Sequence, residues 1–173
     1  MSDLVGDTSH LTQTTFPFSA VKTLKGPQGA GHFTLTTSPG FEQLIAGRAK
    51  VVIRSDSLQA QVVGPPDPTK AVTVYVAAIP NGSAKWPTNA AQILTIGGAA
   101  VVQHSTYVHS QPSQLKFAVE VAHQIKPKPQ VGTEPEIVYS FIVAGAEAET
   151  ESYLVIKGIV EVDGVGFVQT WKS

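Results

Sequence analysis

Hydrophobic positions along this chain recur with a period of two inside short segments, and turn-forming residues separate those segments. Residues 32–37 (HFTLTT) show the alternation most clearly: Phe33 and Leu35 fall on one side, Thr34 and Thr36 on the other. Residues 115–121 (LKFAVEV) repeat it, with Leu115, Phe117, Val119 and Val121 facing away from Lys116, Ala118 and Glu120. Residues 72–79 (VTVYVAAI) are almost continuously apolar, the pattern of a strand buried on both faces. Further strands are expected at 16–24, 49–55, 99–103, 137–144 and 153–160, with 58–63 continuing the third and a last one at 166–170. Many short strands punctuated by Gly and Pro predict an antiparallel sandwich or barrel. Pro17 has no N–H for a ladder, so the first strand belongs at an edge or starts there.

Two short helices interrupt the strands. Ser38-Pro39 has the form of a helix start, with Phe41, Leu44 and Ile45 on one face and Gly47 as the stop. Thr88 is expected to cap a second helix over 89–94, with Ile93 and Leu94 inward. Residues 25–31 (KGPQGAG) read as a turn and 64–69 (GPPDPT) as a stiff loop. The pair Gly97-Gly98 reads as a close backbone approach into a strand; no Lys-Ser/Thr follows to make it a phosphate loop. Residues 1–15 carry neither periodicity and are expected to be an arm ahead of one domain, 16–173.

Composition narrows the partners. Apolar residues make up 42% of the 173 and charged residues only 14%, so much of the surface must be uncharged Ser, Thr, Gln and Ala. Residues 1–128 hold ten basic and six acidic side chains, and 129–173 hold two and seven. Neither part is a polybasic tail of the kind that grips many phosphates. Glu147, Glu149 and Glu151 read as a solvated loop. The absence of cysteine removes disulfides, thiolate catalysis and Cys-based zinc sites. The opening MSDLVGDTSH is acidic and polar, unlike a secretory signal, and no apolar run reaches the ~20 residues that span a bilayer.

Nothing in the sequence is arranged for catalysis, and no cofactor is expected. His104 and His109 are spaced by five with no acidic residue between them, which is not the helical metal-pair spacing. No Gly-x-Ser-x-Gly elbow supports a nucleophilic triad. Trp86 and Trp171 are candidate stacking platforms for sugars or bases, and equally candidate interface anchors.

The stretch from Val72 to Gly98 resembles the central part of tymovirus-like coat proteins of small icosahedral plant RNA viruses. A hydrophobic strand ends in Ile79-Pro80-Asn81; Ala91-Gln92-Ile93 follows as a short helix; Gly97-Gly98 opens the next strand. The Phe16-Pro17-Phe18 start and the closing strands fall in the same order. The resemblance implies an all-β, eight-stranded antiparallel jelly-roll sandwich with short helices in its connecting loops. It also implies self-assembly of about 180 copies into a T=3 shell around single-stranded RNA, formed in the host cytoplasm and ending as a virion. In that family the arm is not strongly basic and polyamines neutralise much of the RNA, which accords with the weak basicity here. Lys126-Pro127-Lys128-Pro129 has no counterpart in it.

By the same analogy the arm and the start of the first strand lie near the particle interior. His10, Lys22 and Lys25 are therefore the RNA-contact candidates, for weak, non-specific and pH-sensitive contact. Two other readings stay open. A carbohydrate-binding or adhesin-type sandwich would use polar loops carrying Trp86, Tyr107 and His109; a simple jelly-roll capsid of another lineage would share the biology.

Overall fold

The computed structural model describes residues 13–35, 51–54, 57–67, 69–79, 86–105, 111–116, 123–125 and 135–163. The expected helix over 38–47, the strand at 166–170, the arm up to residue 12, and residues 117–121 lie outside these.

Ten strands form two antiparallel sheets: β1 (Gln13–Lys25), β2 (Gln28–Thr34), β3 (Val51–Ile53), β4 (Gln59–Val63), β5 (Val72–Ile79), β6 (Ala100–His104), β7 (Ser113–Gln114), β8 (His123–Ile125), β9 (Glu136–Val143) and β10 (Glu151–Asp163). In the first sheet β1 pairs with β10 along the full length of both, Gln13 opposite Asp163 and Lys25 opposite Glu151. The other edge of β10 carries β3 and β4 end to end, and these pair in turn with β8 and β7. The second sheet runs β2-β9-β5-β6. Counting β3 with β4 and β7 with β8 as single broken strands leaves four positions in each sheet, the eight-position antiparallel sandwich that was expected. Pro17 lies in β1, opposite Ile159. The first strand starts three residues before the expected boundary at Phe16, so the last three residues of the expected arm are ladder residues.

Alternation explains the core. On β1, Phe18, Ala20 and Leu24 are buried while Thr15, Pro17, Ser19, Val21, Thr23 and Lys25 are exposed. On β10, Leu154, Ile156, Gly158 and Val160 are buried on the same inner side. Val74, Val76, Ile137, Tyr139 and Phe141 close the core from the second sheet. The opposite face of that sheet buries a smaller cluster, Ala77, Val138 and Ile93, with Tyr75, Ile79, Trp86 and Ile96 against it. Strand β5 is thus buried on both faces, as its continuous apolar run predicts.

Two expectations need correction. The turn read over 25–31 shrinks to Gly26-Pro27, with Gly26 at φ +90 and its N–H donating to Thr150 O at 2.8 Å. The remaining glycines are strand residues with a steric duty. Gly31 pairs with Tyr139 and Gly29 with Phe141. A Cβ at either would come within 2.6 Å of the Tyr139 hydroxyl or 2.8 Å of the Phe141 ring. Turn-like composition here makes room for two inward rings.

The second helix, α1 (Ala90–Leu94), is capped by Asn89, whose side chain accepts from Gln92 N at 2.9 Å. Thr88 sits one place too early to be the cap; its N–H donates to Gln92 Oε1 at 2.8 Å, the return arm of a capping box displaced by one residue. Ile93 is buried, but Leu94 is 49% exposed, contrary to expectation. The helix ends at once, and the turn through Thr95 brings Ile96 onto the sheet in its place.

The break between β3 and β4 is a bulge held by a side chain. Five residues separate Ile53 from Gln59, while only Gly158 and Ile159 separate their ladder partners, Val160 and Lys157. Arg54 N–H donates to Ile159 O at 3.0 Å, and Ile159 N–H donates to Ser57 Oγ at 2.9 Å, while that hydroxyl donates to Arg54 O at 2.7 Å. Ser57→Ala should therefore destabilise the fold by about 1 kcal/mol, read as a lower urea midpoint at unchanged slope.

Candidate functional site

The outer faces of the two sheets are the largest surfaces the strands present, and the alternation that fills the core also decides what they carry. On the first sheet, β1 contributes Thr15, Pro17, Ser19, Val21 and Thr23, all exposed. Val21 is 61% exposed beside half-buried Val155, and Val63 is 48% exposed beside half-buried Tyr153. On these two strands the charges of that face are Lys25, Lys157, Glu151 and Glu161. On the second sheet, Gln28, Ala30, Ile142, Val101 and Gln103 are exposed, with Thr73 and Ser140 between them; none is charged. Ile142 is 52% exposed there. The neutral surface inferred from composition is thus clearest on the second sheet, while the first mixes apolar residues with both signs of charge.

Residues 86–99 cover one end of the second sheet's outer face. The Trp86 ring stacks on His32 with centroids 3.9 Å apart and planes 12° from parallel. His32 Nδ1 lies 3.5 Å from Oε2 of Glu136, whose side chain is only 5% exposed. That separation is too long for a strong hydrogen bond, and Oε2 has no hydrogen-bond donor among the described residues. Burial holds the Glu136 carboxyl above its ordinary pKa, partly opposed by His32 and by the Thr34 hydroxyl. Sequence reasoning weighed Trp86 as a stacking platform or an interface anchor and missed its partners. The signal was there in part: a period of two puts His32 with Thr34, on the side away from Phe33. Glu136 gave none, because it reads as the end of a Pro-rich connection.

Of the RNA-contact candidates, Lys22 and Lys25 fall on opposite faces of β1. His10 lies outside the described residues. Lys22 occupies an inward-facing position of β1, half-buried opposite Leu154, whereas Lys25 projects outward. Lys25 Nζ is 2.8 Å from Glu149 Oε2, with side chains 55% and 83% exposed. Glu147, Glu149 and Glu151 are all exposed, as a solvated loop requires. Of the two histidines weighed for a metal, His104 turns its Nδ1 toward Gly64, and His109 is outside the described residues. Gly98, at φ +82, packs where any Cβ would strike the carbonyl oxygen of Lys116, and Lys116 N–H donates back to Gly98 O at 3.3 Å. The close approach read from Gly97-Gly98 is therefore present, between the helix turn and the residue after Leu115.

A shallow recess of about 420 Å³ is lined by Gly64, Pro65, Lys70, Glu149, Glu151 and Tyr153. Two of its polar groups are engaged with one another: the Tyr153 hydroxyl donates to Glu151 Oε2 at 3.0 Å. That bond and the carboxylate's charge raise the phenol's pKa, so it stays a donor and not a nucleophile.

An antiparallel two-sheet sandwich ordered β1-β10-(β3, β4)-(β8, β7) over β2-β9-β5-β6 is a jelly roll with eight strand positions. Known structures share it. A chain of turnip yellow mosaic virus superposes with a TM-score of 0.67 at 18% identity, covering 87% of this chain and 93% of that one. Desmodium yellow mottle tymovirus gives 0.66 at 18% identity, over 87% and 80%. Tobacco necrosis virus gives 0.61 at 12% identity, over 87% and 95%. No family model matches the sequence, and no curated protein does. The resemblance to tymovirus structures expected from residues 72–98 is therefore met at the level of the fold.

Proposed function

We propose that this chain is a coat protein that assembles with copies of itself into an icosahedral shell around single-stranded RNA, with a structural and not a catalytic role. The observation that carries the reading is the uncharged, partly apolar outer face of the second sheet, with Ile142 and Val101 exposed on it, on a jelly roll of the kind found in virus particles. Isolated domains seldom leave contiguous apolar and neutral strand surface uncovered, and neighbouring copies would cover it. By analogy the shell has T=3 symmetry and about 180 copies, the virion is its final location, and assembly takes place in the host cytoplasm. Residues ahead of β1 form an arm whose order differs between quasi-equivalent positions. The carbohydrate-binding alternative loses its main platform, since Trp86 is stacked on His32 and packed against Ile93 and its neighbours.

RNA contact on this reading is weak and non-specific. The Lys25–Glu149 pair is exposed and worth only about 0–1 kcal/mol, so a phosphate can recruit Lys25 from it. Lys22 reaches RNA only past the inner edge of β1, which leaves His10, Lys25 and bound polyamines to carry most of the charge.

Electron microscopy of the purified protein tests the reading directly. Particles on the order of hundreds of ångströms across are expected, and they should persist in about 1 M NaCl at neutral pH, because screening weakens ion pairs and not apolar contacts. A small oligomer under all conditions would refute the coat-protein role. Particles that fall apart in high salt would refute the neutral-face account of assembly.

A further inference from the structure

We propose that Glu136, His32 and Trp86 form an acid-tightened clasp that fastens residues 86–99 over the outer face of the second sheet. Residues 86–99 reach the sheet through Ile93, Ile96 and Trp86, and the core under them is small: Ala77, Val138 and Ile93 are its only fully buried members among the described residues. Trp86 is the outermost of these contacts, and its indole lies flat on the imidazole of His32. That imidazole is fixed from its other side by Glu136, whose carboxylate is almost wholly buried with one oxygen lacking a hydrogen-bond donor.

Everything packed around the carboxylate has to be counted. Strand β2 supplies His32 and Thr34, β5 supplies Ile79 in register, and residues 86–99 supply Trp86 beyond the imidazole. Among the described residues His32 is the one group there able to carry positive charge. When the imidazole is neutral, an ionised Glu136 is a buried charge without compensation, which is costly. Protonating the imidazole supplies the counter-charge and a cation against the indole face. Protonating the carboxyl removes the buried charge altogether.

The sign follows from linkage. A carboxyl whose pKa is raised by folding adds stability while it is protonated, and that stability is lost as pH rises through the raised value. Acidification therefore tightens this corner, the reverse of the usual effect of a structural carboxylate. Asp67 shows the ordinary sense: the Thr69 hydroxyl and N–H lower its pKa, and acid weakens that loop.

Glu136→Gln keeps the shape and mimics the protonated acid. At about pH 8 the variant should melt about 2–4 °C above the unmutated protein, and the gap should close toward about pH 4.5. Both are compared at one concentration and ionic strength, so that other titrating groups cancel. An equal or lower Tm for Glu136→Gln at about pH 8 overturns the proposal. A second measurement uses no change at Glu136: in a Trp171→Phe background the emission of Trp86 should move to the red as pH rises from about 4.5 to 8, as residues 86–99 loosen. Emission that stays in place across that range overturns it too. Both readouts are taken with each variant in the same assembly state, checked by light scattering, because association shifts Tm.

Discussion

Gly98→Ala should cost about 2–4 kcal/mol, a large loss for adding a single methyl. Two independent penalties act at this position. The backbone is at φ +82, where an L side chain costs about 1–2 kcal/mol. The new methyl would also meet the carbonyl oxygen of Lys116, a backbone atom that cannot rotate away. Relief would require breaking the Lys116–Gly98 hydrogen bond and moving the chain beside Leu115, which is fully buried. Urea unfolding of the expressed protein measures the loss. Gly97→Ala is the control; Gly97 is not in the left-handed region, so that penalty is absent and the substitution should cost less. If the two variants unfold at the same midpoint, the close approach is not what selects glycine at 98.

The second large effect concerns Gly158 and Phe18, which face each other across the β1–β10 ladder. A Cβ on Gly158 would lie 2.7 Å from the Phe18 ring and 3.0 Å from Leu58. The ring has taken the space that a side chain would fill, so it covers the glycine and restores the packing that glycine alone forfeits. Phe18→Ala should cost about 3–5 kcal/mol, as expected for loss of a buried ring. Gly158→Ala should cost about 1–3 kcal/mol by overpacking. The informative case is the double variant: with the ring gone the methyl has room, so Gly158→Ala should be close to neutral in a Phe18→Ala background. A thermodynamic cycle with a coupling energy near zero would show that the two residues do not share the space.

These pairs also mark where sequence reading stops. Strands β5, β9 and β10 were legible because a run or alternation of Val, Ile and Leu has only one economical burial. Strand β2 was half-legible: Phe33 announced it, but Gly29 and Gly31 spoke for a turn, and their reason lies about 110 residues away in Tyr139 and Phe141. The clasp was harder still. Its members come from β2, β9 and the approach to α1, and no local spacing relates them. Lys22 and Lys25, grouped by proximity in sequence, are separated by the odd interval that puts them on opposite faces of one strand. Local pattern fixes which way a residue points; it cannot say which distant residue it meets.

The bulge between β3 and β4 has an evolutionary corollary. Five residues there correspond to two on β10, an excess of three. Because that excess is odd, the buried positions change parity, from Ile53 before it to Leu58, Ala60 and Val62 after it. Gain or loss of a single residue in this segment would turn Ala60 and Val62 to solvent and bring Gln61 and Val63 into the core. A change of two would leave both sides facing as they do now. Among related chains, length variation at this place should therefore occur in even steps, a reading frame for insertions imposed by the pleat.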